Sequence, residues 1–136
     1  MRGKIILNGE GAILGRLGSY VAKELLKGNE VIVINSEKVI ISGCKKDIVG
    51  EIINLRQKGG SSQKGPRISK DSEKFLKRKI RGMLPWKKAK GRTAYKRLKC
   101  YVGEGNLKKE EIEKAENLKH KRPFKFLTIK QISQLI

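Results

Sequence analysis

Cysteine is scarce in this 136-residue chain: there are two, Cys44 and Cys100, and neither has a Cys-x-x-Cys partner. That excludes a disulfide framework and a cysteine-built zinc site. The one histidine, His120, stands far from both in sequence, so neither a metal nor another cofactor is expected. Both cysteines read as reduced, buried thiols of a cytoplasmic protein. Long apolar runs are missing too. The purest, "VIVI" and "VII", are far too short to cross a bilayer. The first residues have a basic start but no apolar run or cleavage-like segment, so no targeting signal is expected. Aromatic residues are 5% of the chain, too few for the stacking surface of a single-strand binder. Acidic residues are the last shortage: 13 against 33 lysines and arginines, a formal net charge of +20.

What is present is cationic charge, and it is segregated. Residues 1–55 hold 8 basic and 6 acidic side chains, residues 56–99 hold 17 and 2, and residues 100–136 hold 8 and 5. Solubility would be served by charge anywhere, so it does not explain one basic block in a nearly neutral scaffold. Such a field attracts polyanions and repels a second copy of the chain. Nucleic acid is the leading partner class, an anionic membrane surface the second, and no homo-oligomer is expected. The length suits one domain, residues 1–136, and a hydrophobic content of 38% supplies a core.

The scaffold has an α/β pattern. "KIILN" (4–8) is a short apolar run beside Gly9 and Gly11, a strand. In "ILGRLGSYVAKELLKG", Leu14, Leu17, Val21 and Leu25 share one helical face, and Gly28 is the natural stop. "EVIVIN" (30–35) and "KVIIS" (38–42) are β-branched runs without polar alternation, which suits strands buried on both faces of a helix-covered parallel sheet. Ile48, Ile52 and Leu55 give residues 45–57 a helical face, and "LKCYVG" (98–103) reads as a further strand. Residues 106–118 read as a helix capped by Asn106, whose acidic residues face solvent and pair with its own lysines. The chain closes with a short strand and a helix from about Thr128.

An enzyme is the alternative. "NGEGAILGRLG" follows a strand and opens a helix, where a dinucleotide-binding loop belongs. Its glycines, Gly9, Gly11 and Gly15, are spaced G-x-G-x-x-x-G, one residue too many before the last. Glu30 stands at the start of the second strand, whereas a ribose-binding acid belongs at that strand's end. The bland reading, glycines for a tight strand-to-helix turn, is preferred. Ser61 and Ser62 have no base nearby in sequence, and no Walker motif occurs. A dinucleotide- or phosphate-binding α/β enzyme is therefore kept only as the second hypothesis.

The basic block has internal order. Residues 69–84 form a helix with Ser69 or Asp71 at its start. At 100° per residue, Leu76, Ile80, Met83 and Leu84 fall within about 100° of arc. Lys74, Lys77, Arg78 and Arg81 fall between about 100° and 200°, on the other face. A charged row is usually just a solvated surface, but like charges at i and i+4 destabilise a helix, and this row has almost no compensating acids. Upstream, "RQKGGSSQKGPR" (56–67) adds Lys58, Lys64 and Arg67 on a poor core-former. Downstream, "WKKAKGRTAYKR" adds Lys87, Lys88, Lys90, Arg92, Lys96 and Arg97, with Ala89 and Gly91 leaving room for close backbone approach. Pro85 stops the helix, and Trp86 reads as a packing anchor in preference to a base-stacking side chain. No helix-turn-helix, zinc finger or basic zipper is visible, and a cation-rich, aromatic-poor surface suits folded RNA read by shape and backbone.

At these residues the chain resembles the large-subunit ribosomal protein family L-thirteen, in its archaeal and eukaryotic-like form. The resemblance is carried by "ILGRLGSYVAKELLKG", "VIVINSEKVIISG" and "RKIRGMLPWKKAKGRTAYKRLKCYVG", in family order over about three-quarters of the chain. It implies a three-layer α/β/α fold with a mostly parallel central sheet of about four strands. It also implies a non-catalytic role in binding large-subunit ribosomal RNA beside neighbouring ribosomal proteins and in subunit assembly. Carried over by position, the family's basic signature falls on Arg78, Arg81, Lys87, Lys88, Lys90, Arg92 and Arg97, with Arg16 in the first motif. The chain departs from the family pattern at Trp86, where a smaller aromatic or a histidine is common, and in "YVGEG", which lacks a usual proline. The short loop 59–68 and short C-terminal end suit an archaeal-type chain.

Overall fold

The computed structural model describes residues 3–58, 68–118 and 121–135. Lys64, Arg67, Ser61, Ser62 and His120 lie outside them. The chain begins with β1 (Lys4–Asn8), α1 (Leu14–Leu26) and β2 (Glu30–Ile34). A short 3-10 turn (Ser36–Lys38), β3 (Ile40–Ser42) and α2 (Lys45–Gln57) follow. After residue 68 come α3 (Ser72–Arg81), α4 (Ala89–Lys96) and β4 (Leu98–Cys100). The last elements are α5 (Lys109–Glu113), β5 (Glu116–Asn117), β6 (Phe126–Thr128) and α6 (Ile129–Leu135).

Four strands form one parallel sheet in the order β4-β2-β1-β5, in a three-layer α/β/α plan. Val31 of β2 stands between Ile5 and Leu98, and Val33 between Leu7 and Cys100. Those alternate positions of one sheet face bury into a core shared with Leu17, Val21 and Leu25 of α1. Gly28, at φ 99°, ends α1 as its position suggests.

Four expectations change. β3 does not join the parallel sheet: it pairs antiparallel with β6, Ile41 opposite Leu127. Its three residues pass from buried Ile40 through half-buried Ile41 to exposed Ser42, so it is not the fully buried strand its β-branched run suggests. The helix expected over 106–118 shrinks to α5, with Lys108 at its N-cap in place of Asn106. The free edge of β1 offers backbone pairing, and residues 116–117 take it, forming β5 beside Leu7 and Asn8. Glu111 reaches not a helical lysine but Lys4 of β1, at 3.1 Å, and that hydrogen bond holds its carboxyl below the usual range. Cys44 is half-buried; Cys100 is buried, and burial pushes its thiol up to about 12.

The glycine turn after β1 is structural. Gly9 donates its N–H to the Ile34 carbonyl at 2.9 Å, and a Cβ there would stand 2.7 Å from Val39. Gly11 sits at φ 73°. Gly9 admits the close approach of Val39 and the end of β2, and Gly11 supplies the left-handed turn that leads towards α1.

Candidate nucleic-acid interface

α3 is the first wall. Its Ser72, Phe75, Leu76 and Ile80 are buried, and Leu84 continues that seam beyond the helix end. Phe75 joins the apolar side although the helical arc above omits it. Met83, on the expected stripe, is 40% exposed, but its sulfur lies over Gly18 of α1. The opposite face carries Lys74 and Arg78 in solvent, with Lys77 and Arg81 half-buried, while the exposed Lys79 flanks the apolar side next to Phe75. The start of the helix is Asp71, without a side-chain cap bond; Ser69 instead accepts the Asp71 N–H through its Oγ at 3.2 Å.

The helix does not run to Pro85. It ends at Arg81 with Gly82 as C-cap, and residues 82–88 turn on backbone bonds. Met83 donates to Ile80, Trp86 to Leu84 and Lys88 to Pro85, at 2.9, 2.8 and 3.0 Å. Pro85 directs this turn and does not terminate the helix.

The basic run beyond is a second helix, which the sequence did not disclose. α4 buries Gly91 and Ala94, and both are too small to leave a hydrophobic stripe. A Cβ at Gly91 would collide with the Pro85 carbonyl. The small residue therefore admits the chain's own turn, where the sequence suggested room for a ligand's backbone. Arg92 reinforces the turn, donating from Nε to the Trp86 carbonyl at 3.0 Å and from a terminal nitrogen to the Lys87 carbonyl at 3.1 Å.

Between the two helices lies an aromatic and cationic stack. Trp86 meets Tyr95 edge to face, with centroids 5.1 Å apart and rings at 89°. The Arg81 guanidinium lies 4.0 Å over the Trp86 ring, and the Lys77 ammonium 5.0 Å over Tyr95. Burial raises the Tyr95 hydroxyl pKa, more than Arg81 and Arg78 lower it, so the phenol stays neutral. Trp86 is thus the packing anchor, and the cations over the rings hold their charges in fixed places.

Arg78, Arg81, Gly82, Leu84, Trp86 and Lys87 line a groove of about 390 Å³. Among the described residues, no carboxylate lines it. Three cations lining one open concavity supply the charge-assisted donors that a phosphate group requires. Lys88, Lys90 and Lys96 extend the cationic surface on and just before α4, all exposed.

Other expected residues go elsewhere. Lys74 is exposed but pairs with Asp71 at 3.2 Å. Arg97 turns inward: a terminal nitrogen donates to the Leu25 carbonyl at 2.7 Å, satisfying the end of α1. Arg16 is exposed on the first turn of α1, and Lys58 is exposed at the end of α2. Lys79 of α3 is exposed and was missed; its place 5.5 Å over Phe75 follows from tertiary packing, though its charge was legible in "KRKIR".

Two basic helices on a parallel α/β sheet, with a groove at the end of α3 and the turn that leads to α4, have the make-up of a nucleic-acid-binding scaffold. Comparison with known proteins sharpens this class. The family model described as Ribosomal protein L13 matches residues 2–107, and the chain belongs to that family. It is 38% identical over 135 residues to the large ribosomal subunit protein uL13 of Archaeoglobus fulgidus, covering 96% of this chain and 86% of that one. To the protein of the same name from Methanocaldococcus jannaschii it is 40% identical over 133 residues, covering 95% and 94%. To that of Methanosarcina barkeri it is 48% identical over 99 residues, covering 72% and 70%.

Proposed function

We propose that this chain is a structural, non-enzymatic constituent of the large ribosomal subunit in the cytoplasm, where it binds ribosomal RNA and supports subunit assembly beside neighbouring ribosomal proteins. The observation that carries the reading is the segregation of cations onto the α3–α4 face of a chain in this family. Arg78, Arg81 and Lys87 grip a phosphate in their groove. Lys74, Lys77, Lys88, Lys90, Arg92 and Lys96 flank it along the backbone. Arg16, Lys58, Lys64 and Arg67 add cations from α1, the end of α2 and the segment before α3. Arg97 contributes by fixing α1 against the start of β4. Each phosphate neutralised releases counterions, so affinity falls steeply with salt. The protein acts as a single copy without a small-molecule substrate, because the net charge of +20 opposes self-association.

The test is sedimentation of cell lysate through sucrose at low and high salt. The chain is expected with the large subunit at low salt. If it stays at the top of that gradient, the reading is wrong. Nicotinamide cofactor retained through purification would instead favour the enzyme.

A further inference from the structure

Away from the α3–α4 face, the approach to β6 carries an unusual surface. Phe124 is 98% exposed and Phe126 is 36% exposed. The Arg122 guanidinium stands 6.0 Å from the Phe126 ring centre. A groove of about 350 Å³ runs here between the start of α2 and this segment, lined by Gly43, Cys44, Lys45, Phe124, Lys125 and Phe126. Lys45 also lines a neighbouring groove of about 260 Å³ with Gln131 and Gln134 of α6. Neither groove is lined by an aspartate or glutamate. Phe124 is open to an external ligand, and unlike a singly exposed apolar residue it shares a groove with a second phenyl ring and two lysines. The cations around it select a polyanion. Two phenyl rings are little against the roughly 800 Å² per partner of a standard protein interface. A flat exposed ring beside backbone-neutralising cations matches how unpaired bases are held, by stacking.

We propose that Phe124 and Phe126, with Lys45, Arg122 and Lys125, form a second RNA contact that stacks an unpaired base, separate from the α3–α4 face that grips backbone phosphates. This rests on the reading of the chain as an RNA-binding protein. Phe124 supplies the stacking face, Arg122 and Lys125 neutralise the flanking phosphates, and Lys45 closes the groove from α2.

The full chain is titrated with a labelled unpaired adenosine oligonucleotide and, separately, with an RNA duplex of the same length. Phe124→Ala is expected to weaken oligonucleotide binding about tenfold and to leave duplex binding unchanged. Phe124→Tyr is expected to keep both. The double variant Arg78→Ala with Arg81→Ala is expected to weaken duplex binding. If Phe124→Ala binds the oligonucleotide like the wild type, the inference is overturned while the functional reading stands. Loss of binding to phosphatidylserine vesicles, with oligonucleotide binding retained, also overturns it in favour of a membrane contact. A wild-type chain that binds neither RNA overturns the functional reading and this one with it.

Discussion

Arg81 and Arg97 carry the same charge in the same basic segment, yet the fold uses them differently. Arg81 lies across Trp86 with its donors open to the groove, whereas Arg97 donates to the Leu25 carbonyl at 2.7 Å. A charged donor to a backbone acceptor contributes about 2 kcal/mol. Arg97→Ala should therefore lower unfolding free energy in urea by about that amount and leave the salt dependence of RNA binding nearly unchanged. Leu76, fully buried, has the opposite role to the cations beside it. Leu76→Ala should cost about 2–5 kcal/mol in the same measurement. Cys100 adds a pH dependence. Its thiol, raised by burial from 9.0 to about 12, holds its proton in the folded state when the unfolded chain has already lost it. That stabilisation is full below pH about 9 and disappears as pH rises towards 12. Melting temperature should fall between pH 8 and pH 11, and Cys100→Ala should reduce that fall.

At the scale of elements, α3 and α4 show what periodicity reveals and what it misses. α3 was legible because Leu76, Ile80 and Leu84 repeat at helical spacing. α4 was not, because its buried positions are Gly91 and Ala94, which no hydrophobic pattern registers. α5 is shorter than its pattern suggests because helical periodicity does not register the free edge of β1, which takes residues 116–117 as a strand. β3 shows that a β-branched run declares a strand but not its partner. Two outcomes follow. Arg78→Ala with Arg81→Ala should lower the slope of log affinity against log salt by about 2, if each arginine neutralises one phosphate. The melting temperature should move little, since Arg78 is exposed and the Arg81–Trp86 contact is worth about 1 kcal/mol. Gly91→Ala should do the reverse, disordering the turn that Arg92 ties and lowering the melting temperature. Calorimetry and filter binding on the same preparations separate the two.

For the whole molecule, the main feature is the separation between a nearly neutral sheet scaffold and one cationic face. Glu30 and Lys99 pair at 3.5 Å across the sheet edge, and Lys4 pairs with Glu111 on its far side, so the scaffold balances its own charges. Among the described residues, Arg78, Arg81, Lys87, Lys88, Lys90, Arg92 and Lys96 have no carboxylate partner. Mutual repulsion on that face is relieved when an anion binds, so the protein should melt higher in the presence of ribosomal RNA than alone. Raising salt should shrink the difference, which differential scanning fluorimetry reads directly.

The family, the α/β class and the concentration of cations in one segment were all determined by the sequence alone, because charge count and hydrophobic period are properties of the chain. The tertiary structure decided where each cation stands. It placed Arg78, Arg81 and Lys87 around one groove, drew Arg97 to the end of α1, and left Phe124 in solvent. Those outcomes depend on which carbonyl or ring stands beside each side chain, and that follows from packing between residues far apart in sequence.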